Sequence, residues 1–205
     1  MLVSSLLATG TPVLAHPHVF VTARAEVLYG PDGKVTGVRH AWTFDKVYSS
    51  YITQGLDADR NGKLTPDELQ DLAKENTTSL VDFDYFTVVK ANGAQQAFGA
   101  PRDWGMTHAN EEATLSYVLP LKAPAANKLV TVEIYDPSYF VAFSLAEGDA
   151  VTLAGAPKGC SMTISRPKPV DTGQQQTLSE SFFNALDAAS NYGAQFSNRA
   201  LVACP

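Results

Sequence analysis

The sequence predicts a mainly β protein: a β-sandwich with an inserted EF-hand helix-loop-helix and a short C-terminal helix. Short runs rich in β-branched and aromatic residues recur along the chain between turn clusters, which is typical of a sandwich. A helical pattern interrupts these runs at about residues 46–80, around a loop rich in side-chain oxygens. A length of 205 residues fits one domain that carries such an insertion.

The strand pattern begins close to the N-terminus. Residues 18–29 and 34–45 are rich in β-branched residues and alternate in polarity, and the turn cluster at 30–33 separates them. The two segments are therefore predicted to form a β-hairpin. Further strands are predicted at residues 85–90, 113–121, 130–135, 139–145 and 161–165.

Helical patterns flank the oxygen-rich loop. Residues 46–54 suit a short amphipathic helix, and residues 66–80 read as a helix with proline and acidic residues in its first turn. The apolar side of the first helix is predicted to hold Val47, Tyr51 and Ile52.

The C-terminal region changes character once more. Residues 167–176 are polar and contain proline, which indicates a linker or long loop. Residues 178–189 then predict a short helix, with one face formed by Phe182, Leu186 and Ala189.

The charge of the chain argues against several classes of partner, and its lack of certain motifs argues against several kinds of chemistry. The net charge is −6 and no cluster of Lys and Arg occurs, which argues against nucleic acid and against an anionic membrane surface. The sequence has no Gly-rich phosphate loop, no serine nucleophile elbow and no His-Glu-x-x-His motif. We therefore predict that the protein is not an enzyme.

The N-terminus is typical of an export signal. Residues 2–14 carry no charge and lead to the small residue Ala15, so residues 1–15 are predicted to be a signal peptide and residues 16–205 the mature domain. The stretch is shorter than the ~20 apolar residues that span a bilayer, so no membrane insertion is expected after cleavage. No Lys or Arg precedes it, which favours a start further upstream. The predicted location is the periplasm or another exported compartment.

The two cysteines agree with export. Cys160 and Cys204 are far apart in sequence and are not in a Cys-x-x-Cys spacing. In an oxidising compartment a disulfide between them is the simplest prediction, and two buried free thiols are the alternative.

The twelve-residue loop at 57–68, DADRNGKLTPDE, matches every offset of a calcium-binding EF-hand loop. Calcium requires six to eight oxygen ligands in a flexible cage, and Gly62 stands where the loop turns sharply. The predicted ligands are Asp57, Asp59, Asn61, the carbonyl of Lys63, Thr65 and Glu68. A lone loop of this kind is expected to bind calcium weakly and to play a structural role.

The four histidines form a second candidate site, for a transition metal. His16 and His18 stand at the predicted mature N-terminus, where an α-amino group and imidazoles suit zinc, nickel, cobalt or copper. His40 lies on the hairpin partner of the first strand and could reach a height similar to that of His18, depending on a strand register that the sequence does not fix. His108 is predicted in an irregular stretch that could complete the set. The alternative is that these histidines are scattered and bind nothing.

Several motifs together carry a family resemblance. They are HPHVFV, HAWTFDKVYSSY, the 57–68 loop, YDPSYFVAF and the closing cysteine. In this order they resemble domain-of-unknown-function family 1007, labelled the periplasmic component of an uncharacterised ABC-type transport system, over residues 15–205. Because its members are often associated with nickel, cobalt or zinc transport, the resemblance implies a periplasmic accessory that handles a divalent metal for a membrane transporter.

Three function classes are consistent with these observations. The leading one is a periplasmic divalent-metal-binding accessory of a metal transport system. The second is a copper-dependent redox enzyme or copper carrier that holds its metal with the N-terminal histidine. The third is a structural module that requires only calcium.

Overall fold

The computed structural model describes residues 17–167 and 191–205, and over these residues the protein is mainly β with two sheets. This confirms the predicted class. The predicted signal peptide, His16, most of the predicted 167–176 loop and the predicted helix at 178–189 lie outside the described residues.

The strands are β1 Val19–Tyr29, β2 Val35–Phe44, β3 Thr87–Ala91, β4 Ala94–Gln95, β5 Arg102–Ala109, β6 Glu112–Ala125, β7 Leu129–Ile134, β8 Val141–Leu145, β9 Val151–Ala154, β10 Ser161–Ser165 and β11 Asn198–Ala203. The first sheet has the strand order β5-β6-β2-β1-β8, with β9 also pairing with β1, and the second has the order β10-β11-β7-β3-β4. The helices are α1 Lys46–Ile52 and α2 Gln70–Ser79, and short 3-10 segments occupy Leu80–Phe86 and Tyr192–Phe196.

The predicted hairpin is confirmed. Strands β1 and β2 pair antiparallel, with Val21 opposite Phe44 and Val27 opposite Val38. Every second side chain at the start of β1 is buried, because successive residues of a strand point to opposite faces. The hairpin therefore turns one apolar face towards the core.

The core lies where the two sheets meet. Trp42 of β2 packs edge-on against Tyr117 of β6 and Phe143 of β8, with ring centroids 5.3 and 5.0 Å apart. The second sheet contributes Val132 of β7 and Val202 of β11, which are 2% and 0% exposed. One apolar core thus joins residues that are distant in sequence.

Several predicted boundaries differ from the structure. Helix α2 begins at Gln70 rather than at residue 66, because residues 66–69 form turns. His108 lies in strand β5 and not in an irregular stretch. Val47 and Tyr51 are 82% and 75% exposed, so they do not form a buried face of α1.

The predicted disulfide is confirmed. Cys160 and Cys204 are bonded, with their Cα atoms 4.1 Å apart and a sequence separation of 44. The bond lies beside the β10–β11 pairing, where Ser161 is opposite Ala203, so it fastens the C-terminus to the second sheet. Among the described residues, no helix is both long enough and apolar enough to span a bilayer.

Candidate metal centre

Helix α1, which precedes the 57–68 loop, is fastened to the first sheet by two polar side chains. Asp45 caps α1: its Oδ1 accepts the backbone N–H groups of Val47 and Tyr48, each at 3.0 Å. Its Oδ2 accepts the N–H of Phe20 at 3.0 Å. One carboxylate therefore fixes both the start of the helix and its position against β1.

Ser49 provides the second attachment. Its hydroxyl donates to the carbonyl of Phe44 at 3.2 Å and accepts the N–H of Ala113 at 2.9 Å. Ser49 is fully buried, so its loss would leave a buried N–H without a partner. On the other side of the loop, Leu69 and Ala73 are fully buried in the core. Both ends of the loop are thus held by the two-sheet body.

Three carboxylates converge inside the loop. Ligand oxygens of Asp57, Asp59 and Glu68 all lie within 4.8 Å of one another. These are the first, third and twelfth positions of the predicted calcium loop. Like charges so close together repel, and a divalent cation among them would offset that repulsion. The donors are all oxygen, which fits calcium rather than a soft transition metal.

The backbone of the loop wraps around its first carboxylate. Asp57 accepts the N–H of Asn61 at Oδ1, at 3.1 Å, and the N–H of Gly62 at Oδ2, at 2.9 Å. Gly62 has a φ of 78°, a left-handed conformation that a side chain would make costly. Gly62, the sixth residue of the predicted loop, therefore makes the sharp turn that was predicted at this position.

Glu68 closes the loop back onto its own beginning. Its Oε2 accepts the N–H and the hydroxyl of Thr65, both at 2.9 Å, and its Oε1 accepts the N–H of Ala58 at 2.9 Å. These bonds, led by the backbone N–H of Thr65, hold the pKa of Glu68 below its ordinary value. The carboxylate is therefore ionised at neutral pH and is positioned with both oxygens towards the loop.

The remaining predicted ligands lie along the same loop. The side-chain nitrogen of Asn61 donates to Asp59 at 2.6 Å, and its side-chain oxygen accepts the N–H of Lys63 at 2.7 Å. Thr65 stands beside Glu68, as described above. The residue types and the backbone turn fit calcium, and binding itself stays a prediction.

The structure separates the histidines that the sequence grouped. His40 is opposite Ala25 on β1, seven residues beyond His18, which corresponds to roughly 23 Å along a strand. The register therefore places His18 and His40 at different heights, and the possibility of a similar height does not hold. His108 is opposite Ala113 on β6, and two strands separate β5 from β1, so about 14 Å of sheet lies between β5 and β1.

His18 lies just before β1, where its ring packs against Phe140 with centroids 4.8 Å apart. His16 is outside the described residues. A transition-metal site therefore stays a prediction for His16 and His18 alone, and the described structure does not bring His40 or His108 to it.

His40 is instead a core residue. It is 0% exposed and packs against Tyr117 and Trp42, with ring centroids 5.0 and 5.3 Å away. Its Nε2 lies 3.4 Å from the hydroxyl of Thr87, and its Nδ1 has no hydrogen-bond partner among the described residues. Burial lowers the pKa of His40 to about 3, because the apolar surroundings disfavour the charged ring.

This burial predicts an acid-sensitive stability. The pKa of His40 is about 6.5 in the unfolded state and about 3 in the folded state. Between these two pH values, His40 binds a proton in the unfolded state but not in the folded state. The free energy of unfolding should therefore fall with falling pH, by up to about 1.4 kcal/mol per pH unit from this residue. In His40→Gln this part of the slope should be absent, as urea unfolding at several pH values would show.

A matched control uses His108→Gln, which changes a partly exposed histidine on an edge strand. Because this variant leaves His40 in place, it should keep the part of the pH slope that His40 contributes. A slope in His40→Gln equal to that of the parent would contradict a neutral, buried His40.

Two anchoring residues of the site were missed from the sequence. Asp45 stands directly before α1, where an aspartate commonly caps a helix, so this local signal was available. Ser49 gave no such signal, because its partner in β6 is 64 residues away.

Comparison with known proteins places the whole chain in one family. The family described as "Protein of unknown function (DUF1007)" matches residues 1–204. A protein of Haemophilus influenzae, described only as an uncharacterized protein, is 24% identical over 196 residues. The matched region covers 94% of this chain and 92% of that relative.

Proposed function

The chain belongs to the DUF1007 family, and we propose that it is an exported divalent-metal-binding protein that holds calcium in its 57–68 loop. The observation that carries this proposal is the convergence of Asp57, Asp59 and Glu68 within 4.8 Å. The loop also has the glycine turn and the all-oxygen donor set that calcium requires.

Calcium in this loop would have a structural effect. The ion would offset the repulsion among the three carboxylates and fix the spacing between α1 and α2, which lie on either side of the loop. Because both helices are attached to the first sheet, the bound ion would stabilise the helical insertion on the two-sheet body.

A role in metal transport is the wider part of the proposal. The family resemblance supports a periplasmic accessory that passes a transition metal to a membrane transporter, with His16 and His18 as its ligands. The disulfide is compatible with an oxidising compartment. A copper-dependent redox enzyme would need a further ligand near His18, and His40 and His108 lie elsewhere in the described sheets.

Calorimetric titration of the mature protein tests the two metals separately. Calcium should bind at one ion per chain, with a dissociation constant of about 10⁻⁴–10⁻³ M. Zinc, nickel or copper should bind the authentic mature N-terminus, and His16→Ala/His18→Ala should weaken that binding without changing calcium uptake.

The control for the N-terminal site is protein with extra residues before His16, since these block the α-amino group. Equal transition-metal affinity in the authentic, extended and double-alanine proteins would remove the N-terminal site. The absence of calcium uptake at millimolar concentration would remove the loop site, and the two outcomes are independent.

A further inference from the structure

A cavity of about 810 Å³ lies between the helical insertion and the first sheet. Helices α1 and α2 and the 3-10 segment Leu80–Phe86 line one side, and β1, β2 and β8 line the other. This volume is in the range of small-molecule sites, which are concave, mainly apolar and equipped with a few polar groups. The cavity plays no part in the calcium site.

Aromatic rings dominate the wall of this cavity. Trp42 and Phe143 belong to its sheet side, and Tyr51 and Phe83 to its helical side. Tyr51 and Phe83 are 75% and 56% exposed, although most large apolar side chains of the described chain are buried. Exposed aromatic rings beside a cavity commonly mark a binding surface.

The wall is also held in an unfavourable backbone conformation. Asp84, Tyr85 and Phe86 follow one another with φ of 48°, 55° and 46°, a left-handed run without glycine. This run positions Phe86 so that its ring stacks on Phe83, with centroids 5.3 Å apart. Such conformations persist where the surrounding structure holds them, and they are concentrated at ligand sites.

The charged groups at the cavity have one sign. Glu75 of α2 and Asp136 are acidic, and no Lys or Arg is among the described lining residues. Asp136 is only 5% exposed, and its oxygens accept the N–H and hydroxyl of Ser138 and the N–H of Val141. The cavity therefore complements positive charge.

We propose that this cavity binds a small organic cation with an apolar body, such as a substituted ammonium compound. Aromatic faces attract a cation through their ring quadrupoles, and the negative charges of Glu75 and Asp136 also attract it. The remaining aliphatic and aromatic wall would bury the apolar part of the ligand. An anionic ligand would meet two carboxylates and, among the described lining residues, no basic side chain, so it is disfavoured.

The test compares three probes that share one ring: benzyltrimethylammonium, benzyl alcohol and phenylmethanesulfonate. Titration calorimetry with the full mature protein in calcium should show saturable binding of the ammonium compound at one site per chain. The alcohol should bind at least about tenfold more weakly, because it lacks the positive charge that the aromatic faces attract. The sulfonate should not bind.

Variants locate the site on the protein. Glu75→Gln and Tyr51→Ala change exposed side chains, so both variants should fold. Each substitution should weaken binding of the ammonium compound several-fold. Glu147→Gln is the matched control, because Glu147 is an exposed carboxylate that does not line the cavity. The control should bind like the parent.

Three results would overturn the proposal: no saturation by the ammonium compound, equal affinity for all three probes, or unchanged affinity in both cavity variants. Equal affinity would mean an apolar cavity without selection for charge. None of these results bears on the calcium site, since Glu75 and Tyr51 are not among its predicted ligands.

Discussion

In the Glu68→Gln variant, calcium should not produce the stabilisation that we expect it to give the parent protein. An ion that binds only the folded state stabilises it by about 2.7 kcal/mol when its concentration is one hundred times the dissociation constant. For a chain of this length, that corresponds to a rise in Tm of roughly 5 to 10 °C. The variant loses one charged oxygen of the ligand set, so its Tm should stay constant as calcium is added.

The measurement is thermal unfolding followed by circular dichroism, in a chelator and in a series of calcium concentrations. Values in the chelator separate the effect of calcium from any change in the apo protein, where Glu68 accepts bonds from Ala58 and Thr65. Glu147→Gln, which removes an exposed carboxylate outside the loop, should respond to calcium like the parent. A calcium-dependent rise in the Glu68→Gln protein as large as that of the parent would refute the ligand assignment.

Gly193→Ala should destabilise the fold by about 3 kcal/mol, the upper range for a side chain forced into a filled space. A Cβ at this position would lie 1.7 Å from the carbonyl oxygen of Asp136, which is backbone and cannot rotate away. The substitution would also disturb the bond from the N–H of Gly193 to the carbonyl of Pro137, at 2.8 Å. The expected result is a lower midpoint in urea unfolding.

Gly105→Ala is the control for this change. Nothing lies within 4 Å of the added Cβ, and Gly105 has no positive φ. Its unfolding midpoint should be close to that of the parent. If Gly193→Ala were as stable as Gly105→Ala, the close contact between the Tyr192–Phe196 segment and the Asp136 turn would be wrong.

Local patterns explain which elements could be predicted. The β1–β2 hairpin and the 57–68 loop are each specified by neighbouring residues, through alternation and fixed ligand offsets. Strand β5 was missed because it is an edge strand in which only Met106 is buried, so no alternation marks it. Strand β9 has four residues and pairs in parallel with β1, over a hundred positions away.

The relation between sites could not be predicted in the same way. Strand register determines that His40 faces Ala25 and not the residues near His18, and a sequence pattern does not fix register. The attachment of Ser49 to Ala113 and the aromatic cavity depend equally on contacts between distant segments. The predicted ligands are close together in sequence, whereas the position of the loop on the protein depends on residues that are far apart in sequence.

The central claim is that the 57–68 loop holds one calcium ion, and the backbone amide of Gly62 reports on it most directly. This amide donates to Asp57 at 2.9 Å, at the point where the loop turns around the predicted ion. In nitrogen–proton correlation spectra recorded during a calcium titration, the Gly62 signal should shift and saturate at one ion per chain. The signal of Gly105, which lies in the first sheet, should remain in place. A Gly62 signal that is unmoved at millimolar calcium would contradict the account.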